Sequence, residues 1–121
     1  MLNILIIDDN SGFIELLREL LGETKIVFNL VEANNPIEAL EKFKKFNHNF
    51  DFILCDYYLP IQNGNDFLEI VKSHNKNITC FLMSADDGLD LRNFSFVDHF
   101  FTKENPEKII KQLQLQYFLV S

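Results

Sequence analysis

At 121 residues and 14.2 kDa, with 47% hydrophobic residues and 13 phenylalanines, the chain has the size of one domain and enough apolar side chains to fill its core. A formal charge of −7 and a pI near 4.8 argue against a nucleic-acid or anionic-membrane surface, either of which would require a clustered basic footprint. Apolar runs such as Ile4 to Ile7 fall far short of the roughly 18 residues of a membrane span.

No basic region precedes the first apolar run, which meets Asp8 and Asp9 at once, so no signal peptide is read and a cytoplasmic location is expected. Cys55 and Cys80 sit inside apolar runs and read as small buried hydrophobes, which fits a reducing compartment. Lys42, Lys44 and Lys45 form the one dense basic patch and read as a solvated helix face. His48, His74 and His99 lack ligand spacing, do not group with the acids, and read as surface or sheet-edge residues. No linker or repeat divides the chain, so residues 1–121 are expected to be one domain with no output domain among them.

In chain order, Leu2 to Ile7 predicts a strand buried on both faces and ending at two adjacent acids. Asn10 or Ser11 can cap the next helix, in which Phe13, Leu16, Leu17, Leu20 and Leu21 recur at helical spacing and Gly22 supplies a stop. Lys25 to Ala33 predicts a second strand. Asn35 as N-cap, Pro36 at the first helical position and Glu38 completing a capping box announce a second helix, with Ile37, Leu40, Phe43 and Phe46 as its stripe.

Phe52 to Asp56 is an apolar run delivering one carboxylate to a strand end, followed by Pro60 and Gly64 at turn-like spacing. Phe67, Leu68, Ile70 and Val71 mark a third helix. Ile78 to Met83 predicts a fourth strand closed by Ser84-Ala85, and Val97 to Thr102 a fifth ending at Lys103. Pro106 to about Val120 forms the last helix, with Ile109, Ile110, Leu113, Tyr117 and Val120 on one side. Five strands alternating with helices predict an α/β domain with a parallel sheet, right-handed crossovers and helices on both faces. Ligands of such sheets bind beyond the carboxyl ends of the strands, so Asp8, Asp9, Asp56, Ser84 and Lys103 are expected in one crevice.

Clustered carboxylates repel, and a hard divalent cation such as Mg²⁺ relieves that repulsion in phosphoryl-transfer sites. Aspartate can act as a covalent nucleophile, leaving the protein to position and neutralise the moving group. Asp56 is therefore read as the attacking group, Asp8 and Asp9 as metal-holding acids, and Lys103 and Ser84 as holders of phosphoryl oxygens.

The set Asp8-Asp9, Asp56-x-x-Leu59-Pro60-x-x-x-Gly64, Ser84-Ala85 and Lys103 resembles the receiver domain of two-component response regulators over essentially the whole chain. The resemblance implies a doubly wound, flavodoxin-like sheet of strand order 2-1-3-4-5. It implies that Asp56 takes a phosphoryl group from a sensor histidine kinase or a histidine phosphotransfer protein, with Mg²⁺ held by Asp9, Asp56 and the backbone carbonyl of Tyr58 and with Asp8 helping through water. Ser84 and Phe100 would then switch, remodelling the face of the fourth helix, fifth strand and fifth helix for an output partner or a second copy. Tyr58 and Asp86, each two residues after a site residue, are expected to line the mouth and tune attack of water, and Tyr57 is read as a buried strand end.

Three departures from the family stand out. Glu104, not proline, follows Lys103, so the loop aiming the lysine is expected to be built differently. Only 18 residues lie between positions 84 and 103, and Asp86-Asp87-Gly88 is a poor helix start, which predicts a fourth helix that is short, irregular or mobile. Phe100 lacks the hydroxyl of the frequent tyrosine, so a switch there must rest on packing. Leu115, Phe118 and Leu119 lie off the buried stripe of the last helix, and Leu89, Leu91 and Phe94 crowd the weak segment, where a dimer or partner surface is expected. Two alternatives stay open: a degenerate receiver that only docks proteins, and a small Mg²⁺-dependent aspartyl-phosphate phosphatase, for which the spacing of Asp8-Asp9 is wrong.

Overall fold

The computed structural model describes residues 1–86, 88–90, 92 and 94–120. Expectations that fell on Asp87, Leu91 and the side chain of Val120 lie outside the described residues. The elements run β1 (Leu2–Ile7), α1 (Ser11–Gly22), β2 (Phe28–Ala33), α2 (Pro36–Lys45), β3 (Phe52–Asp56), α3 (Gly64–His74), β4 (Thr79–Ser84), β5 (His99–Thr102) and α4 (Pro106–Val120). The five strands form one sheet of order β2-β1-β3-β4-β5, with every neighbouring pair parallel. This is the predicted doubly wound arrangement.

The sheet divides two cores by the alternation of its strands. Ile4, Ile6, Leu54, Phe81 and Met83 face α1 and α4, packing with Phe13, Leu17, Leu21, Ile109 and Leu113. Leu5, Ile7, Ile53, Cys55, Cys80 and Leu82 face α2 and α3, packing with Ala39, Phe43, Phe67, Leu68 and Val71. Each fully buried side chain of this size contributes about 1.5–3 kcal/mol, which fixes the central strands and the positions of their carboxyl ends. Both cysteines are buried and free, as expected.

The helix signals are mostly obeyed. Asn10 caps α1 by accepting from the Phe13 N–H, and Asn35 caps α2 by accepting from the Glu38 N–H. The Glu38 carboxylate reaches the Asn34 N–H, one residue further back than a capping box predicts. Asn63, which was not anticipated, caps α3.

Several details correct the sequence reading. Gly22 stays in α1 as its last residue, and Glu23 caps the helix end in ordinary right-handed geometry. The stripe of α2 is Pro36, Ala39 and Phe43; Ile37 and Phe46 turn toward solvent, as does Leu16 of α1. Lys42 is not simply solvated: it pairs with Glu38 and donates to the Glu32 carbonyl. Strand β2 begins at Phe28 because residues 25–27 precede its ladder with β1, and β5 begins two residues later than expected.

The largest departure from a regular alternation lies between β4 and β5. Among the described residues of 85–98 there is no α-helix. Phe94, Phe96 and Val97 instead pack against the core on the α2/α3 side of the sheet. The segment is tied at both ends by an aspartate. Asp98 accepts from the Cys80 N–H at 2.7 Å and from Lys72 Nζ at 2.8 Å, while Asp86 accepts from the Gly88 N–H and the Tyr58 hydroxyl.

Candidate functional site

Strands β1 and β3 pair Ile7 with Cys55, so Asp8 and Asp56, one residue beyond each, emerge side by side at the carboxyl edge. The carboxylates of Asp8, Asp9 and Asp56 each offer an oxygen within 4.8 Å of the others. Asp8 is fully buried, Asp56 nearly so, and Asp9 is exposed at the mouth. Asp8 Oδ1 accepts from the Asn10 N–H at 2.9 Å, so the cap of α1 also orients the acid.

Lys103 follows β5 directly, and its backbone N–H donates to the Ser84 carbonyl at 2.9 Å. Its ammonium lies 2.6 Å from Asp8 Oδ2 and 3.3 Å from Asp56 Oδ2, and 4.9 Å from the centre of the Phe13 ring. The described peptide bonds are all trans. The register of β4 and β5, with Ser84 opposite Thr102, is what aims the lysine.

The start of α3 lies against the backbone of the β3 end because Gly64 has no side chain. Gly64 packs so closely on the Asp56 carbonyl that a Cβ there would lie well inside van der Waals contact, and 2.9 Å from Leu82 Cδ1. The intervening loop is stitched by the Gly64 N–H to the Tyr57 carbonyl and the Tyr57 N–H to the Met83 carbonyl, both 2.8 Å. Ile61 stands at φ 78° with Gln62 N–H donating to the Pro60 carbonyl, a positive-φ γ-turn that a β-branched residue adopts only under strain.

Burial, and then the charge of Asp8, push the Asp56 carboxyl up to about 6, against the opposing pull of Lys103. The set is under-neutralised: one ammonium serves three acids, and although it touches Asp8 Oδ2, that oxygen accepts no aligned hydrogen bond. Three hard carboxylate donors sharing a single ammonium fit a divalent cation of the Mg²⁺ type. The Tyr58 carbonyl accepts no hydrogen bond among the described residues, which leaves it available as a further oxygen donor.

Ser84 is fully buried one residue beyond the Asp56–Met83 pairing, and its Oγ accepts from the Asp86 N–H at 3.0 Å. Phe100 is half-buried against the α2/α3-side core, beside Phe94 and Val97. Tyr57 is half-buried, less than its reading as a strand end implied, with its ring 5.4 Å from that of Phe94. Tyr58 and Asp86 do stand at the mouth, and they meet there: the phenol donates to Asp86 Oδ2 at 3.0 Å. That bond raises the Tyr58 phenol, while the Gly88 N–H first and Tyr58 second lower Asp86. Their pairing was not legible because 28 residues separate them. A cavity of about 450 Å³ lies elsewhere, between α3 and residues 95–98, lined by Lys72, Phe96 and Asp98 among others.

Comparison with known proteins gives a consistent result. The family model for the response regulator receiver domain matches residues 4–114. The transcriptional regulatory protein ZraR of Klebsiella oxytoca is 31% identical over 88 residues, covering 73% of this chain and 19% of that protein. The first curated relatives are all longer, and the chain spans between 15% and 35% of their length. Among solved structures, chemotaxis response regulator CheY4 of Vibrio cholerae superposes with a TM-score of 0.79 at 23% identity, over 94% of this chain and 97% of that one. Response regulator TrrA of Thermotoga maritima, in complex with Mg²⁺ and BeF, gives 0.76 at 29% identity over 92% and 98%. No helix among the described residues is long and apolar enough to cross a membrane.

Proposed function

The chain belongs to the response regulator receiver domain family, and on that premise we propose that Asp56 is its phosphoacceptor, charged by a phosphohistidine on a sensor kinase or histidine phosphotransfer protein of a cytoplasmic phosphorelay. The observation that carries this reading is the position of Asp56 at the edge of β3, with Lys103 Nζ 3.3 Å away and two further carboxylates beside it. Asp56 Oδ attacks phosphorus; the new O–P bond forms as the N–P bond breaks, and the electron pair returns to the imidazole nitrogen of the donor. Lys103, already between Asp8 and Asp56, moves its charge onto a phosphoryl oxygen. Ser84 keeps a hydroxyl proton to donate to another, since its Oγ serves only as acceptor toward Asp86.

Asp9, Asp56 and the Tyr58 carbonyl would hold Mg²⁺, with Asp8 supporting it. When bound, the ion supplies positive charge against the oxygens of the reacting phosphoryl group. Turnover is hydrolytic: water attacks phosphorus and the O–P bond to Asp56 breaks, returning the carboxylate. Tyr58 and Asp86, joined over the mouth, set how readily that water approaches. Residues 1–121 act as one receiver unit, and the readout face is residues 94–102 with α4, where Phe100 shifts its packing and exposed Leu115, Phe118 and Leu119 offer a surface for an output protein or a second copy.

The decisive experiment incubates the chain with Mg²⁺ and a small acyl phosphate and measures intact mass. One phosphoryl adduct, absent in Asp56→Asn, is the expected result. Absence of any adduct would leave a docking module, and steady hydrolysis of ordinary phosphate esters would indicate a phosphatase.

A further inference from the structure

The three histidines show no ligand spacing in sequence, yet His48 and His74 meet in space, with ring centres 4.7 Å apart and planes tilted by 53°. Both rest on the buried ring of Phe43, His48 at 4.7 Å and His74 edge-on at 6.0 Å. They stand at the amino-terminal edge of the sheet, the end opposite Asp56, in the turn before β3 and at the close of α3.

Backbone structure fixes both rings. Helix α2 ends in a paired closure: Asn47 N–H donates to the Lys44 carbonyl and His48 N–H to the Phe43 carbonyl, with Asn47 at φ 56° and His48 at φ 59°. Two successive left-handed residues swing the His48 ring back over Phe43. His74 is the last residue of α3, and its Nδ1 lies 2.9 Å from the Ile70 carbonyl. A ring nitrogen facing a carbonyl must carry the proton, so in the neutral ring the free lone pair is on Nε2. Metal-binding histidines characteristically hold the second nitrogen this way. The His48 ring makes no hydrogen bond among the described residues.

We infer that His48 and His74 form a two-imidazole site for a late first-row transition-metal ion, Zn²⁺, Ni²⁺ or Cu²⁺, separate from the acidic cluster. Two imidazoles on one ion, each bound at about 2.0–2.1 Å, have ring centres roughly 4.5–5.2 Å apart for bond angles between square and tetrahedral, which brackets the observed spacing. Imidazole nitrogen suits these ions, whereas the all-oxygen cluster at the other edge suits Mg²⁺. Both rings also lie at helix C-termini, α2 and α3, whose negative dipole ends favour a cation. The positive charges of Lys44 and Lys45 in the last turn of α2 oppose it, and water completes the coordination shell. Occupancy would clasp the turn after α2 to the end of α3.

The test titrates the full chain with ZnCl₂ by calorimetry in excess MgCl₂, so that the acidic cluster is already occupied. One equivalent is expected to bind, with affinity at least about tenfold weaker in His74→Gln and in His48→Asn, the latter chosen because asparagine tolerates positive φ. A second measurement needs no substitution: substoichiometric Ni²⁺ should broaden the ring-proton resonances of His48 and His74 before those of His99. Binding of equal strength in both variants, absence of binding, or uniform broadening of all three histidines would each overturn the site.

Discussion

The mouth around Asp56 and the connection between β4 and β5 are adjacent in space but built on opposite terms. At the mouth, Asp8 and Asp56 ride on strands whose side chains are buried on both faces, and Gly64 abuts the Asp56 backbone. Residues 85–98 have no α-helix among those described and are held by Phe94, Phe96 and Val97 together with aspartates at each end. A reacting centre must be rigid because charge positioned in advance lowers a barrier. A segment that reports the reaction must instead have two arrangements of similar energy. Under the proposed function, those two tasks would fall to different parts of one edge of the sheet.

Substitutions at the mouth should therefore cost far more than substitutions in the connection. Gly64→Ala drives a methyl group into the Asp56 carbonyl and should cost about 3 kcal/mol or more in urea unfolding. Lys103→Ala leaves the fully buried Asp8 without its ion-pair partner. A loss of roughly 3 kcal/mol is expected without divalent cations, partly restored by Mg²⁺ in the same assay.

Asp56→Asn should move stability the other way. The folded state raises this carboxyl to about 6 from 3.8, so it holds the proton more tightly than the unfolded chain does. The favourable contribution is complete below about pH 4 and is lost as pH rises through about 6. At pH 7 the metal-free variant should be more stable than the parent by up to about 3 kcal/mol, and thermal melts across pH should show the gain disappearing near pH 4.

In the connection, Phe94→Ala should cost only about 1–2 kcal/mol, because the ring is half-buried. Hydrogen exchange should quicken in residues 94–98 while protection in β1 and β3 is unchanged. The smallest effect on stability is expected for Tyr58→Phe, which removes one exposed hydrogen bond to Asp86. Its melting temperature should match the parent while the phosphoryl lifetime changes. An unchanged lifetime would remove the tuning role, and a large loss of stability would break the contrast between the two regions.

What the sequence made legible follows the same division. Apolar runs ending in acids, a serine and a lysine placed the strands and their polar ends, because two-sided burial leaves little choice of residue. Helix faces were harder: Ile37 looked like core, but the phase of α2 is set by Pro36, Ala39 and Phe43, where small Ala39 lets the helix approach the sheet. An irregular segment between β4 and β5 was signalled by a short span and a glycine, yet the packing of Phe94 and Phe96 there depends on tertiary contacts. Pairings across elements, such as Tyr58 with Asp86 and His48 with His74, carry no spacing signal at all.

The pairing of Asp8 with Lys103 also bears on how the sheet and the site are connected. The acid follows the first strand and its countercharge follows the fifth, so the whole sheet lies between them in sequence. Pairing of β1 with β3 brings the carboxylates together, and the ammonium that lies against them comes from the residue after β5. The strand that closes the sheet edge is therefore also the one that carries the countercharge of the acids on β1 and β3.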